Sequence, residues 1–199
     1  MRLFVALWPP AEVVEHLQAT VADVAGRVDA PSGIRWVATR NLHLTMAFLG
    51  EVGPLRRSRT EERLARVCAR YPPLTLWLAG AGRFGDRTLF VKVAGEREQL
   101  GRLALSVAAA GRRAGLALEE RPWRAHITLA RARQGVVGMR DLARALDGYR
   151  SNPWTADELH LVRSRLGAGD DGRSSYETVA RWSLTGRHGS QDRVERGGF

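Results

Sequence analysis

One pattern occurs twice in the chain and constrains the fold more than any other feature. Each copy has an apolar strand, a long amphipathic helix and a second apolar strand with a histidine and a threonine two residues apart. The members are Phe4-Val5, His43 and Thr45 in the first copy, and Phe90-Val91, His126 and Thr128 in the second. The copies are too far apart in sequence for a short-repeat solenoid. The pattern therefore predicts two similar α+β units that pack as lobes about a pseudo-twofold axis, with a cleft between them.

Hydrophobic periodicity supplies the remaining elements of this α+β prediction. Strands are predicted at residues 3–8, 42–49, 74–79, 88–93 and 126–131, with a turn at 81–86 and a closing hairpin of 159–165 and 176–184. Helices are predicted from Pro9-Pro10 to about Val28 and at 55–70, 96–114 and 139–146. No linker composition separates the copies, at about 1–75 and 88–150. We therefore expect one bilobal domain over 1–186 and a disordered polar tail over 187–199.

Composition narrows the class of protein. The 199 residues are 44% hydrophobic, which is enough for a buried core. No apolar run reaches the ~18 residues of a membrane span, and the N-terminal run at 3–8 is short for a signal peptide. Cys68 is the only cysteine, which excludes an internal disulfide and a cysteine-rich metal site. We expect a cytoplasmic monomer without a membrane partner.

The strongly basic charge indicates a polyanionic partner, with nucleic acid as the first candidate. The formal net charge is +10, and Lys92 is the only lysine among 31 basic residues. Arginine suits bidentate recognition of phosphate, although the arginine, alanine and glycine content is also typical of a GC-rich genome. Only arginines placed at a site therefore argue for function.

Strand alternation predicts which side chains share a face. His43, Thr45 and Ala47 should face the cleft, whereas the other face should bury Leu42, Leu44, Met46 and Phe48. In the second motif the cleft face should carry His126, Thr128 and Ala130, with Ile127 and Leu129 buried. Two histidines and two threonines would then converge on one cleft.

Such a set suits in-line attack on a phosphodiester. One histidine can accept a proton from water and the other can donate one to the departing oxygen, since the imidazole pKa lies near ~6.5. Threonine hydroxyls can donate hydrogen bonds to the non-bridging phosphate oxygens. Neither motif contains a carboxylate or a cysteine cluster, so we expect neither a metal nor a cofactor. The residues themselves leave open which histidine is the acid.

The sequences HLTM and HITL, within RWVATRNLHLTMAFLGEV and HITLAR, resemble the two-histidine (2H) phosphoesterases. Among these, the chain is most similar to the RNA 2′,3′-cyclic phosphodiesterases, also known as 2′-5′ RNA ligases of the LigT type. The likeness runs from RLFVAL to YETVARWSL, nearly the whole chain except the tail. In the second motif ProTrpArgAla precedes the histidine, where the family has a proline close before it.

The resemblance implies a bilobal LigT-like fold and hydrolysis of an RNA terminal 2′,3′-cyclic phosphate to a 2′-phosphate. It further implies that His43 donates the proton to the 3′ oxygen and that His126 activates water. Arg131 matches a family arginine that contacts phosphate. Because Arg131 has the opposite strand parity to His126, we expect it to reach the site from the strand end.

The same residues are compatible with three other functions. The same groups could run the reverse reaction and join RNA through a 2′-5′ linkage, or act on a small cyclic nucleotide or ADP-ribose 1″,2″-cyclic phosphate. The chain could also bind RNA ends without catalysis. Trp36, Phe48 and Tyr176 could stack a base but are more typical of a core, and His160 is expected to be structural. The charged run at 56–66 is expected to be a solvated helix face.

Overall fold

The predicted helices and strands are present in the computed structural model, which describes residues 1–28, 33–133, 138–165, 167 and 174–187. The strands are β1 (Arg2–Leu7), β2 (Ile34–Trp36), β3 (Leu44–Glu51), β4 (Leu74–Phe84), β5 (Thr88–Gly95), β6 (His126–Ala132), β7 (Trp154–Ala156), β8 (Glu158–Arg165) and β9 (Ser175–Ser183). The helices are α1 (Ala11–Arg27), α2 (Pro54–Cys68), α3 (Arg97–Arg113) and α4 (Met139–Ala145), with a 3₁₀ turn at Thr39–Asn41. The α+β prediction is confirmed.

Two details of the secondary structure differ from the prediction. The turn expected at 81–86 is shorter, because β4 continues past a β-bulge and pairs with β5 as far as Phe84↔Thr88. The strands β2 and β7 were not predicted, because three residues are too few to show a periodic pattern. The tail beyond Arg187, including His188, lies outside the described residues.

The sheet consists of two halves that meet along a short seam. Its strand order is β7-β4-β5-β6-β3-β1-β8-β9, with β2 paired to β6. The central strands β3 and β6 are antiparallel and pair through Leu44↔Ile127. The two halves thus have the same layout. In each repeat, the strand of the His-x-Thr motif, β3 or β6, pairs with the first strand of that repeat, β1 or β5. We interpret this layout as the internal repeat.

The helices cover one face of this sheet and bury the main core. Leu44, Met46 and Leu49 of β3 belong to the same buried cluster as the inner residues of α2 and α3. Helix α3 approaches β3 closely at Gly111, where an added Cβ would lie 3.1 Å from the Leu49 side chain. A second cluster of Phe4, Ala6 and Val162 lies apart from this core, on the uncovered face.

The described part of the chain contains no helix that is both long and apolar enough to cross a membrane.

The seam should be a sensitive point for stability. Leu44 is 1% exposed and pairs with Ile127, which is 0% exposed. We expect Leu44→Ala to lower the free energy of unfolding by about 2–5 kcal/mol, because it removes buried methyl groups and leaves a cavity. Leu55→Ala is the matched control, since Leu55 is 67% exposed. Chemical denaturation measures both, and equal losses would contradict the importance of the seam.

Candidate active site

The two histidines lie where the half-sheets join. His43 immediately precedes β3, and His126 is the first residue of β6. The antiparallel pairing of Leu44 with Ile127 therefore brings His43 alongside Thr128 and Thr45 alongside His126. The four side chains predicted from the two motifs are thus brought together on one face of the sheet. A further link across the seam is the Trp123 indole, whose Nε1–H donates to the Thr45 carbonyl at 2.9 Å.

Both imidazoles are held by the same backbone contact. Nδ1 of His43 lies 2.7 Å from the carbonyl oxygen of Asn41, and Nδ1 of His126 lies 2.7 Å from that of Arg124. A carbonyl oxygen can only accept, so Nδ1 carries the proton in each ring. Each neutral histidine therefore keeps Nε2 as a free base, which becomes a proton donor when the ring is protonated.

The surroundings of the site favour neutral histidines. The pKa of His43 is lowered from 6.5 to about 4, mainly by burial; the Asn41 carbonyl opposes this lowering, and the charges of His126 and Arg131 contribute to it. Burial also lowers the pKa of His126, the Arg124 carbonyl opposes this, and Arg131 adds to the lowering. These charge effects also put His126 and Arg131 within electrostatic reach of His43.

The predicted strand alternation fails after each threonine, and for the same reason in both motifs. Between Thr45 and Ala47 the register of β3 against β1 shifts by one residue, and between Thr128 and Ala130 the register of β6 shifts against β5. Each shift is a β-bulge, which reverses the faces that follow it. Ala47 and Ala130 are therefore core residues rather than cleft residues as predicted.

The same bulges turn the fifth residue after each histidine to the cleft face. Phe48, predicted to be buried, lies opposite Phe4 and is 65% exposed. Arg131, predicted on the opposite parity, follows the bulge of β6 and acts electrostatically on both histidines. The opposite parity predicted for Arg131 is therefore wrong. Arg131 is the penultimate residue of β6, and its contact with phosphate stays a prediction.

An aromatic lining around His43 was largely missed in the sequence. The His43 ring lies 4.9 Å from Phe4, 5.1 Å from Trp8 and 5.3 Å from Tyr176, measured between ring centroids. Phe4 and Trp8 belong to the apolar N-terminal run at 3–8, so their pattern indicated only a buried strand. Of the three aromatics considered from sequence, Tyr176 lines the site and Trp36 packs against the main core.

A smaller aromatic lining surrounds His126. Its ring lies 4.9 Å from Phe84 and 5.2 Å from Phe90. Phe90 packs over Gly82, where an added Cβ would come within 2.5 Å of the ring. Phe4 and Phe90, equivalent in the repeated pattern, thus lie at similar distances from the two histidine rings but at different angles, 31° and 62° between the ring planes.

A third histidine lies on the His43 side of this face. His160 pairs with Ala6 across β8 and β1, and its ring lies 5.4 Å from Trp8. Its Nε2 lies 3.1 Å from a carboxylate oxygen of Glu158. Trp8 stands between the rings of His160 and His43, so His160 packs behind the site, and its structural role stays a prediction.

Within the described residues, no group of three or more histidine, cysteine, aspartate or glutamate side chains is placed to hold a metal ion.

Known proteins with a similar sequence carry one name. An RNA 2′,3′-cyclic phosphodiesterase of Escherichia coli is 31% identical over 192 residues, or 92% of this chain and 97% of the relative. One from Archaeoglobus fulgidus is 32% identical over 83% of this chain and 92% of its own length. One from Geobacillus stearothermophilus is 34% identical over 76% of this chain, a match that spans 48% of that relative.

Solved structures agree with the fold. The crystal structure of TT0787 of Thermus thermophilus has a TM-score of 0.73 at 27% identity, covering 94% of this chain and 100% of that one. E. coli LigT complexed with 3′-AMP has a TM-score of 0.71 at 30% identity, covering 92% and 98%. The predicted LigT-like fold is confirmed. The sequence model of the 2′-5′ RNA ligase superfamily matches residues 9–168. The chain therefore belongs to the 2′-5′ RNA ligase superfamily.

Proposed function

We propose that this chain is an RNA 2′,3′-cyclic phosphodiesterase, which hydrolyses the terminal cyclic phosphate to a 2′-phosphate by metal-independent acid–base catalysis. The observation that carries the proposal is the matched pair of imidazoles, each with Nδ1 bonded to a backbone carbonyl and with Nε2 unpaired among the described residues. The shared name of the similar proteins supports the substrate. RNA is then the partner, and a monomer in the cytoplasm remains our expectation.

The reaction needs one base and one acid on opposite sides of the phosphorus. His126 Nε2 accepts a proton as the water oxygen bonds to phosphorus, and the bond between phosphorus and O3′ breaks. His43, protonated at Nε2, donates its proton to O3′, which leaves as a hydroxyl, and the phosphate stays on O2′. The sequence family supports this assignment of the two roles, whereas the local geometry of the two histidines is alike.

Three further side chains stabilise the charge that develops on the phosphate. The hydroxyls of Thr45 and Thr128 donate hydrogen bonds to the non-bridging oxygens, where positioned donors contribute most in the transition state. Arg131 offers its guanidinium to the same oxygens, in a geometry that suits two parallel hydrogen bonds. No step of this mechanism requires a metal ion.

Substrate binding must also bring about the protonation of His43, the proposed acid. With a pKa of about 4, the His43 imidazole is neutral near pH 7 in the empty site. A bound phosphodiester brings a negative charge next to the ring and so favours its protonated form. Substrate binding therefore prepares the donor. Proton transfer to O3′ leaves His43 neutral, and His126 then releases to solvent the proton that it took from water.

The reverse reaction uses the same groups and has support in the family name. A 5′-hydroxyl of a second strand would take the place of water, with His126 as its base. Offering such an acceptor strand and looking for a 2′-5′ joined product tests this direction.

Removal of each histidine should separate the two roles. We expect His43→Ala and His126→Ala each to lower kcat by about 10²–10⁴ on a 2′,3′-cyclic phosphate dinucleotide, because each removes one proton transfer. A substrate with sulfur in place of O3′ expels a thiolate that needs no proton. This substrate should restore turnover in His43→Ala but not in His126→Ala.

Circular dichroism controls for the fold of both variants. Restoration in His126→Ala instead would exchange the two assignments. Full activity of either variant on the oxygen substrate would contradict the mechanism.

Proton uptake should accompany ligand binding. A nucleoside 2′-phosphate should raise the pKa of His43 above its free value of about 4. Binding then takes up a proton, so affinity should rise as the pH falls toward the free pKa. Histidine NMR titration with and without the ligand measures the shift, and His43→Ala identifies the resonance. An unchanged His43 pKa would contradict substrate-assisted protonation.

Arg131 should act on the phosphate rather than on the proton transfers. We expect Arg131→Gln to lower kcat/KM by about 10²-fold, because it removes a charged donor to the phosphate. Arg131→Lys should recover part of this loss, since it restores the charge without the planar fork. Arg133, exposed two residues later on the same strand end, provides the matched control in Arg133→Gln. Equal effects of Arg131→Gln and Arg133→Gln would contradict a contact between Arg131 and the phosphate.

A further inference from the structure

A groove with a volume of about 760 Å³ runs between α2 and α3. It lies on the helix-covered side of the sheet, because both helices pack against the main core with Leu44 and Leu49. The two catalytic histidines lie on the other face. The groove is therefore a separate surface from the cleft. Its polar lining consists of Arg63, Arg66, Arg70, Arg113, Tyr71 and Ser106.

The groove is positively charged, and most of its arginines have no carboxylate partner among the described residues. Its lining includes four arginines and no carboxylate. Within the described residues, Arg63, Arg70 and Arg113 form no ion pair, and Arg66 has a 3.8 Å contact with the exposed Glu62. Arg63 is only partly exposed. Like charges that converge on a groove raise the local concentration of an anionic ligand.

Some other arginines of the surface are ion-paired: Arg27 pairs with Asp23, Arg57 with Glu61, Arg83 with Asp86, Arg102 with Glu98 and Arg165 with Glu177. Others, such as Arg140 and Arg144 of α4, form no ion pair within the described residues but do not line this groove. The arginines of the groove instead come from two helices distant in sequence and face one space.

Helix stabilisation accounts for only part of this arrangement. Basic residues in the last turn of a helix interact favourably with its dipole, which applies to Arg66 and Arg113. Arg63 precedes the last turn of α2, and Arg70 follows the end of that helix. The two of them contribute charge to the groove without that role.

The groove also holds a pair of hydroxyls. The Tyr71 hydroxyl and Ser106 Oγ lie 2.8 Å apart and link the end of α2 to α3. One hydroxyl of such a pair donates to the other, whose own proton is then free for an outside acceptor. Guanidinium groups beside hydroxyl donors are the usual contacts of a phosphodiester backbone.

We propose that the groove between α2 and α3 is a second RNA site, which binds backbone phosphates of the strand away from its reacting end. The choice of RNA rests on the proposed function; the anionic chemistry rests on the groove alone. A ligand of one or two nucleotides occupies only the cleft, whereas a longer RNA contacts both faces. The charged run at 56–66 then contributes to ligand binding, beyond the solvated face predicted from sequence.

The test separates binding in the groove from catalysis in the cleft. Binding is measured with an unstructured RNA oligonucleotide that ends in a 3′-hydroxyl, which the proposed reaction cannot consume. We expect Arg63→Gln/Arg66→Gln/Arg113→Gln to weaken this binding and to reduce the slope of log K against log [salt] by about 2, since each single-strand phosphate contact contributes about 0.7. The single variant Arg113→Gln should reduce it by about 0.7.

The matched control changes the same charge elsewhere. Arg27→Gln/Arg140→Gln/Arg144→Gln removes three arginines of α1 and α4, outside the groove. It should leave the salt slope nearly unchanged. Hydrolysis of a 2′,3′-cyclic phosphate dinucleotide should be equal in the groove variant, the control variant and the unchanged chain.

The outcomes distinguish the two proposals. Equal losses of RNA binding in the groove and control variants would overturn the groove site and assign the affinity to net charge. An unchanged salt slope in both groove variants would overturn it as well. If the unchanged chain fails to hydrolyse the dinucleotide, the proposed function fails, and RNA binding still decides the groove site.

Discussion

Besides the pairing of β2 with β6, one antiparallel contact joins the central strands of the two halves, that of Leu44 with Ile127. Both residues are fully buried, and each is next to a histidine in sequence. Side chains alternate along a strand, so a pair buried on the helix side requires the neighbouring residues to face the other side. The hydrophobic core thereby fixes the relative position of the two histidines. Stability and chemistry depend on the same register.

The β-bulges bring one further residue of each motif, Phe48 or Arg131, to the face that carries the histidines. Without them, strand alternation would bury Phe48 and Arg131 under the helices, where a guanidinium would lack water or a partner. With them, the two equivalent positions supply an aromatic ring on one side and a positive charge on the other. The two lobes thus share a backbone arrangement and differ in the side chain at this equivalent position.

The sequence predicted the parts of the molecule that follow from periodicity. The strand and helix order, the α+β fold and the family were confirmed, because two long apolar repeats with matched motifs leave few alternatives. The faces of Ala47, Phe48, Ala130 and Arg131 were wrong, because a bulge adds a residue without any change in composition. The contacts of Trp8, Phe84 and Tyr176 with the histidines could not be predicted, because they join strands distant in sequence. The arginine groove was missed for the same reason, since its two helices are far apart along the chain.

We propose that the two histidines hydrolyse an RNA terminal cyclic phosphate to a 2′-phosphate without a metal. The most direct measurement is incubation of the purified protein with an RNA oligonucleotide that ends in a 2′,3′-cyclic phosphate, in excess chelator. Chromatography with ³¹P NMR then identifies the terminal phosphate. We expect a 2′-phosphate, formed at the same rate with and without the chelator. A 3′-phosphate product, or loss of the reaction in chelator, would contradict it.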